Sequence, residues 1–235
     1  MITAQEKAQF LPAASQALFE GDCVCTVLRQ DPNGEQKYVL SAPKLTVDLQ
    51  EQKGKQLSAM ASKIDHLTAA GPTARLAIVK IAKQELLGGF ELKCAVVEYD
   101  AKQQYFLATG PGIVKVDNSK TSEPNQDGGR FSMRRKSYSI VENYDTLKYF
   151  VETNQVIAEA EGQGVVVNYF PIVDGKYDRH ITVTAGRIIG NLMETPAGQT
   201  ELSTLHALDG VTYREEDMEF AGRKLFYDVG KSIIT

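Results

Sequence analysis

A short phrase of residues recurs five times along the chain, and it constrains the fold more than any other feature. Each copy has a small or polar stretch, then a glycine, then alternating apolar residues. The glycines of the five copies are Gly21, Gly71, Gly110, Gly162 and Gly210, which lie 39 to 52 residues apart. Self-similarity at such spacing is typical of repeat architectures. Because glycine inside a strand suits a bulge or a bend, we expect each copy to bend a strand at its glycine.

A second phrase ends in an aromatic or apolar residue followed by aspartate. Its four copies end at Asp48, Asp100, Asp145 and Asp228. An aspartate at a strand end can start a turn by accepting hydrogen bonds from the backbone ahead of it. Each repeat unit is therefore predicted to run strand, Asp turn, strand, Gly bend, strand.

Strand signals dominate the rest of the chain. Alternation and β-branched runs predict strands at residues 22–28, 38–49, 92–99, 112–117, 165–170 and 181–184. Residues 31–34 (DPNG) are typical of a hairpin loop. Residues 145–160 also fit a helical pattern, but their β-branched and aromatic content favours strand. Residues 4–10 fit a helical turn that Pro12 ends early.

The chain of 235 residues contains no segment with the composition of an interdomain linker. Residues 119–130 are polar with proline and glycine, and they predict a long mobile loop. We therefore expect one elongated all-β domain over residues 1–235, built from about five units. The chain begins and ends inside a phrase, which indicates a stretch of a longer array or an array whose last strand is an open edge. An open edge can pair with another copy or another chain.

Charge and hydropathy exclude several classes of protein. The 26 basic and 30 acidic residues give a net charge of −4, which is not that of a strongly basic nucleic-acid binder. No run of about 18 apolar residues occurs, so no transmembrane helix is expected. Residues 1–7 lack the basic-then-apolar pattern of a secretory signal. We expect any export signal to lie outside this chain.

The three cysteines predict neither disulfides nor a metal site. An odd count without a C-x-x-C motif argues against a disulfide framework and against structural zinc. Cys23 and Cys25 would share one face of a strand. They are interpreted as small buried hydrophobes, with a metal or redox pair as the alternative.

No catalytic motif emerges from the sequence. There is no G-x-S-x-G elbow, and residues 110–112 (GPG) lead into a strand where a phosphate-binding loop needs a helix. The acidic run 215–217 is interpreted as a solvated turn. We expect no cofactor and no enzymatic activity, with a spatially assembled active site as the least favoured alternative.

Three phrases carry a resemblance to a known family. Residues 40–48 (LSAPKLTVD), residues 97–100 with 107–112 (VEYD, LATGPG) and residues 220–228 (FAGRKLFYD) resemble the organic-solvent-tolerance-like family of lipopolysaccharide-transport proteins. As repeats, the resemblance covers nearly the whole chain. It implies an elongated, V-shaped antiparallel β-jellyroll, or β-taco, whose interior holds lipid acyl chains. It also implies edge-to-edge stacking into a bridge in the periplasm.

Alternation identifies the residues that would line such an interior, because every second residue of a strand shares a face. The predicted lining residues are Ala74, Leu76, Ile78, Val114, Val116, Val165, Val167, Tyr169, Val211 and Tyr213. The same stripe fits an ordinary packed core without a ligand, and the sequence leaves both interpretations open.

One basic cluster stands out, comprising Arg134, Arg135 and Lys136. Arginine forks match the oxygens of phosphate, so this cluster is the leading candidate for contact with an anionic headgroup. The alternative is a solvated strand face.

The favoured hypothesis is a non-enzymatic module of the cell envelope. It would accommodate acyl chains of lipopolysaccharide or another lipid in an apolar trough, without spanning the membrane. Its open edges would pair with copies of itself or with related β-jellyroll proteins. The alternative is a purely structural β-repeat segment of a larger envelope or surface protein, with no ligand.

Overall fold

The computed structural model describes residues 1–31, 34–50, 64–82, 85–119, 136–194, 200–228, 231 and 233–235. Within these residues the protein is all-β, and its single helical element is the 3-10 turn Pro12–Ala14. No helix in the described ranges has the length and apolar character needed to cross a bilayer. The predicted all-β class and the elongated antiparallel jellyroll-like form are confirmed.

The strands are antiparallel, and several are unusually long. The first eight are β1 (Ile2–Thr3), β2 (Lys7–Leu11), β3 (Gln16–Asp31), β4 (Gly34–Leu49), β5 (Ile64–Ala82), β6 (Glu85–Asp100), β7 (Tyr105–Asp117) and β8 (Ser137–Phe150). The next eight are β9 (Gln155–Glu159), β10 (Val165–Val173), β11 (Lys176–Tyr177), β12 (Ile181–Ala185), β13 (Arg187–Glu194), β14 (Thr200–Glu215), β15 (Met218–Asp228) and β16 (Ile233–Ile234).

All six predicted strands lie within these elements. Residues 145–160 form the end of β8, a turn and β9, as the β-branched content predicted. Asp31 and Gly34 are paired across the β3–β4 hairpin, although residues 32 and 33 lie outside the described ranges. The predicted loop at 119–130 lies, apart from Ser119, outside the described residues.

The helical turn predicted at residues 4–10 is wrong. Residues 7–11 form β2, which pairs with β3 from Lys7↔Glu20 to Leu11↔Gln16. Because β3 offers a row of backbone donors and acceptors, pairing with it satisfies the N–H and C=O groups of alternate residues of the segment. This tertiary context outweighs the weak local helical pattern.

A line of bends crosses the middle of the sheet, and we call it the crease. It passes through Gly21, Pro43, Gly71, Ala95, Gly110, Asn143, Gly162, Gly186 and Gly210, where ladders shift register or a strand is interrupted. On one side of the crease, layer A includes β2, β9, β13 and β16. On the other, layer B includes β1, β10, β11 and β12. The long strands contribute one half to each layer.

Each predicted repeat unit is one antiparallel pair of these bent strands. The pairs are β3 with β4, β5 with β6, β7 with β8, the interrupted strand β9–β10 with β12–β13, and β14 with β15. Each of the five repeated glycines lies at the crease on the first member of its pair. The sequence repeat therefore marks where one strand of every pair turns from one layer into the other.

The aspartates that end the second phrase have different roles. Asp100 ends β6, and its Oδ1 accepts hydrogen bonds from the backbone N–H groups of Lys102 (2.9 Å) and Gln103 (2.8 Å). Asp228 ends β15 and accepts one from the N–H of Lys231 at 3.1 Å. The turn predicted at Asp145 is wrong, because Asp145 lies inside β8, just past the crease.

The inner faces of both layers form one core. Beside the crease in layer A, a row of cross-strand neighbours alternates large and small side chains. The row comprises Leu45, Ala69, Val97, Ala108, Leu147, Ala158, Ile188, Ala207 and Leu225, all buried. Alternating sizes allow facing layers to interdigitate without voids. The two layers can therefore approach closely at the crease.

Gly71 on the crease and Gly112 beside it show why this line excludes larger residues. Gly71 has φ +131°, and a Cβ there would lie 2.7 Å from Pro43 Cγ. At Gly112, a Cβ would collide with the phenol of Tyr144 and would lie 2.8 Å from the carbonyl oxygen of Lys93. Tyr144 itself is fully buried. Its ring thus occupies space that the missing side chain leaves free.

We expect Gly71→Ala to lower the free energy of unfolding by about 1–3 kcal/mol, because it combines a strained φ with a clash. Gly89→Ala is the matched control, since nothing lies within 4 Å of a Cβ at Gly89. Urea denaturation of both variants measures the difference. Equal stabilities would contradict the role assigned to the crease.

Candidate functional site

The ten predicted lining residues all lie on the inner face of layer B. They fall into three rows that run parallel to the crease. The first row contains Ala74, Val165 and Val211; the second contains Leu76, Val114, Val167 and Tyr213; the third contains Ile78, Val116 and Tyr169. Eight are buried, while Ile78 and Val116 are partly buried against the core.

The solvent exposure of the third row differs between the two ends of the molecule. Across β3 to β7 it consists of Val27, Tyr38, Ile78, Phe90 and Val116, which are consecutive cross-strand neighbours. None of these five side chains is buried, and Val27 is 52% exposed. We call this row the trough mouth. It is an apolar strip that continues the core outward to solvent.

Layer A adds aromatic side chains to the inner surface over the same strands. Tyr99 and Phe106 are partly buried against the core, with ring centroids 4.6 Å apart. Leu49 is partly buried in the same way. Both layers thus present half-buried apolar groups away from the crease.

At the other end of the molecule the third row is closed. Its members Tyr169, Ile181 and Glu215 are 6%, 3% and 2% exposed. Arg179 Nη1 lies 2.6 Å from Glu215 Oε1, and both side chains are largely buried. The Tyr213 hydroxyl donates to Glu215 Oε2 at 2.6 Å. Burial, reinforced by this hydrogen bond, raises the pKa of the Tyr213 phenol.

Sequence reasoning missed Glu215 and most of the trough mouth. The interpretation of 215–217 as a solvated turn holds for residues 216 and 217, whereas Glu215 is buried as the last inner-face residue of β14. Its alternation with Val211 and Tyr213 was the available signal. Tyr38 and Phe90 could have been found in the same way, two residues from Leu40 and Leu92.

The predicted headgroup cluster is only partly described. Arg134 and Arg135 lie outside the described residues. Lys136 is half-buried directly before β8, and its carbonyl accepts a hydrogen bond from Ile172 N at 2.8 Å. The headgroup role of this cluster stays a prediction.

The cysteines contribute to the inner face of layer B. Cys23 and Cys25 share that face, as predicted, and together with Cys94 they are buried free thiols. Burial raises the pKa of the Cys94 thiol to about 11, and it also raises the pKa of Cys23 and Cys25. Across the described ranges, no group of three or more His, Cys, Asp or Glu side chains is arranged to hold a metal ion.

Comparisons with protein-family models, with curated proteins and with solved structures find no match for this chain.

We expect all three thiols of the folded protein to resist Ellman's reagent at pH 8. With its pKa at about 11, Cys94 is a thiolate in only about one molecule in a thousand at that pH. Urea-unfolded protein is the control and should release three equivalents of chromophore within minutes. A rapid equivalent from the folded protein would contradict the burial of the inner face.

Proposed function

We propose that this protein is a non-enzymatic module of the cell envelope that accommodates lipid acyl chains at the trough mouth and joins partners through open sheet edges. The observation that carries the proposal is the apolar row Val27, Tyr38, Ile78, Phe90 and Val116, which faces inward yet is not buried. An acyl chain of lipopolysaccharide or of another lipid matches this row in shape and polarity.

Burial of apolar surface supplies the binding free energy, at about 25 cal/mol per Å² removed from water. The five side chains stand on five adjacent strands, so the row is about 19 Å long at the usual strand spacing. A chain lying along it contacts the row, and the half-buried rings of layer A belong to the same inner surface. Few polar groups are desolvated on binding, because Tyr38 carries the only polar side-chain atom of the row.

Because the third row is closed at one end of the molecule, the proposed binding site is confined to the other end. On β14, Glu215 occupies the position that the trough mouth holds on the other strands, and it is bonded to Arg179 and Tyr213. An acyl chain beside a buried ion pair would gain little and would disturb a costly charge pair. Binding is therefore assigned to the half of the molecule formed by β3 to β7.

Both ends of the sheet support association by strand addition. Among the described residues, positions 218–222 of β15 pair only with β14, and positions 27–31 of β3 pair only with β4. The aromatic residues Phe10 and Phe220, near opposite ends, are 41% and 37% exposed. Unpaired edges with exposed apolar groups are ready templates for another strand.

The resemblance of the repeat phrases to lipopolysaccharide-transport proteins supports a location in the periplasm or cell envelope. The alternative is a structural β-repeat without a ligand. It is favoured by the burial of eight of the ten predicted lining residues, which pack as an ordinary core. Lipid binding distinguishes the two functions.

We expect Val116→Asp to weaken the binding of cis-parinaric acid, a fluorescent fatty acid, by about tenfold or more, because a carboxylate at the trough mouth would face the acyl chain. Fluorescence titration, with lipid A as competitor, measures this. Ile113→Asp is the matched control. Ile113 is an apolar residue of the same strand, 40% exposed on the opposite face, and its variant should bind normally.

Circular dichroism verifies that both variants are folded. If the unmodified protein binds neither probe at micromolar concentration, the lipid role is wrong and the structural alternative stands. Equal weakening in both variants would show that the probe does not occupy the trough mouth.

We expect the average mass in sedimentation velocity to rise with protein concentration, and Phe220→Asp to suppress this rise. The substitution places a charge on the open edge of β15, where an added strand would cover it. Ile113→Asp is the control, because Ile113 is an exposed apolar residue on β7 that is paired on both sides, with β6 and with β8. A protein that stays monomeric at every concentration would contradict edge pairing.

A further inference from the structure

The outer face of layer B carries an aromatic cluster that the proposed function does not use. It comprises Tyr138, Phe170, Tyr177 and His180. Phe170 stacks on His180 with ring centroids 4.5 Å apart and planes 10° apart. Tyr177 lies 5.7 Å from Phe170 and 6.2 Å from Tyr138. Tyr177 is 64% exposed, so its ring is available to a ligand.

Neutral polar side chains continue this surface along the same strands. Asn168 Oδ1 lies 2.8 Å from His180 Nε2 and accepts from Thr182 Oγ1 at 3.1 Å. Beyond them Thr182, Thr184, Thr212 and Arg214 line a cleft of about 150 Å³. The aromatic cluster therefore adjoins, through the 3.2 Å contact of His180 Nε2 with Thr182 Oγ1, a cleft lined by three threonines and an arginine.

The charges around the cleft are already compensated. Arg214 Nε lies 3.0 Å from Glu219 Oε2, and the Asn168 amide donates to Glu142 Oε1 at 3.1 Å. The threonine hydroxyls can each donate and accept hydrogen bonds. This arrangement fits a neutral ligand with several hydroxyl groups better than it fits an anion.

The aromatic cluster is held in place from the inner side of the sheet. The segment between β11 and β12 is tied down by the Arg179–Glu215 ion pair and by a 2.9 Å bond from Asp178 N to the Pro171 carbonyl. Asp174 and Gly175 form the tight turn before Tyr177. A surface that is ordered before binding loses less entropy when a ligand arrives.

We propose that this face binds a neutral oligosaccharide, with one sugar ring on Tyr177 and the hydroxyl groups of further rings directed to Thr182, Thr212 and Arg214. A pyranose has an apolar C–H face and a rim of hydroxyl groups, and so matches an aromatic ring beside a polar cleft. A free oligosaccharide and the sugar part of a glycolipid share this chemistry. The site lies on the opposite side of the sheet from the trough mouth and does not depend on acyl binding.

Saturation-transfer-difference NMR on the full chain tests the proposal, with cellotetraose, maltotetraose and tetra-N-acetylchitotetraose as probes, because a chain of four rings is needed to reach from Tyr177 to Thr212. We expect transfer to the ring C–H protons of at least one tetrasaccharide. Tyr177→Ala should weaken that binding by about five- to tenfold, the range for loss of one aromatic contact, and Thr212→Val should weaken it further. Tyr105→Ala is the control, since Tyr105 lies beside Phe150 in layer A.

Val116→Asp should leave saccharide binding unchanged, which separates a failure of this site from a failure of the acyl trough. If the natural ligand is a glycolipid headgroup, a synthetic glycolipid with the same sugar should compete with the oligosaccharide probe. If the natural ligand is a free oligosaccharide, the probe should bind without any lipid attached. No transfer to any probe, normal binding by Tyr177→Ala and Thr212→Val, or displacement of the sugar by inorganic phosphate would overturn the proposal.

Discussion

The crease is the constraint on which the rest of the structure depends. A flat antiparallel sheet of long strands would leave one apolar face in water, and burying that face requires another layer. Here each long strand supplies both layers by bending at its centre. The bend demands backbone conformations that most residues avoid, as at Asn143 (φ 62°), Asp209 (φ 66°) and Gly210 (φ 82°). Small residues beside the bends then let the two layers meet. The repeated glycines therefore mark, in the sequence, the positions where the strands bend.

Sequence reasoning therefore succeeded where one local rule determines the outcome. Glycine spacing located the bends, and alternation placed all ten lining residues on one face. It failed where the structure of a segment depends on strands that are distant in the sequence. Residues 7–11 become a strand only because β3 lies beside them, and Asp145 continues β8 because the chain bends two residues earlier, at Asn143. The burial of Glu215 depends on Arg179, which is 36 residues away in sequence. No pattern within β14 reveals that partner.

The third row of layer B is partly exposed at one end of the molecule and buried at the other, although the backbone pairing is continuous. On β3 and β4 its members are Val27, which is 52% exposed, and Tyr38, which is partly exposed. On β12 and β14 its members are Ile181 and Glu215, covered by the segment that carries Arg179. Charge at the sealed end is tolerated because it is paired and hydrogen-bonded, and an unpaired charge there would be strongly unfavourable. The difference between an open trough and a packed core thus comes from what covers a row rather than from its polarity alone.

Strand alternation also keeps the two proposed ligand chemistries apart. Tyr169 faces the core while Phe170 faces outward, and the next strands repeat this with Ile181 and Thr182. A slip of one residue in pairing would exchange the apolar and polar faces. The crease opposes such a slip, because its bulges must stay aligned from strand to strand for the layers to close. The glycines that bend the sheet therefore also preserve its register, and with it an apolar inner surface and a hydroxyl-lined outer one.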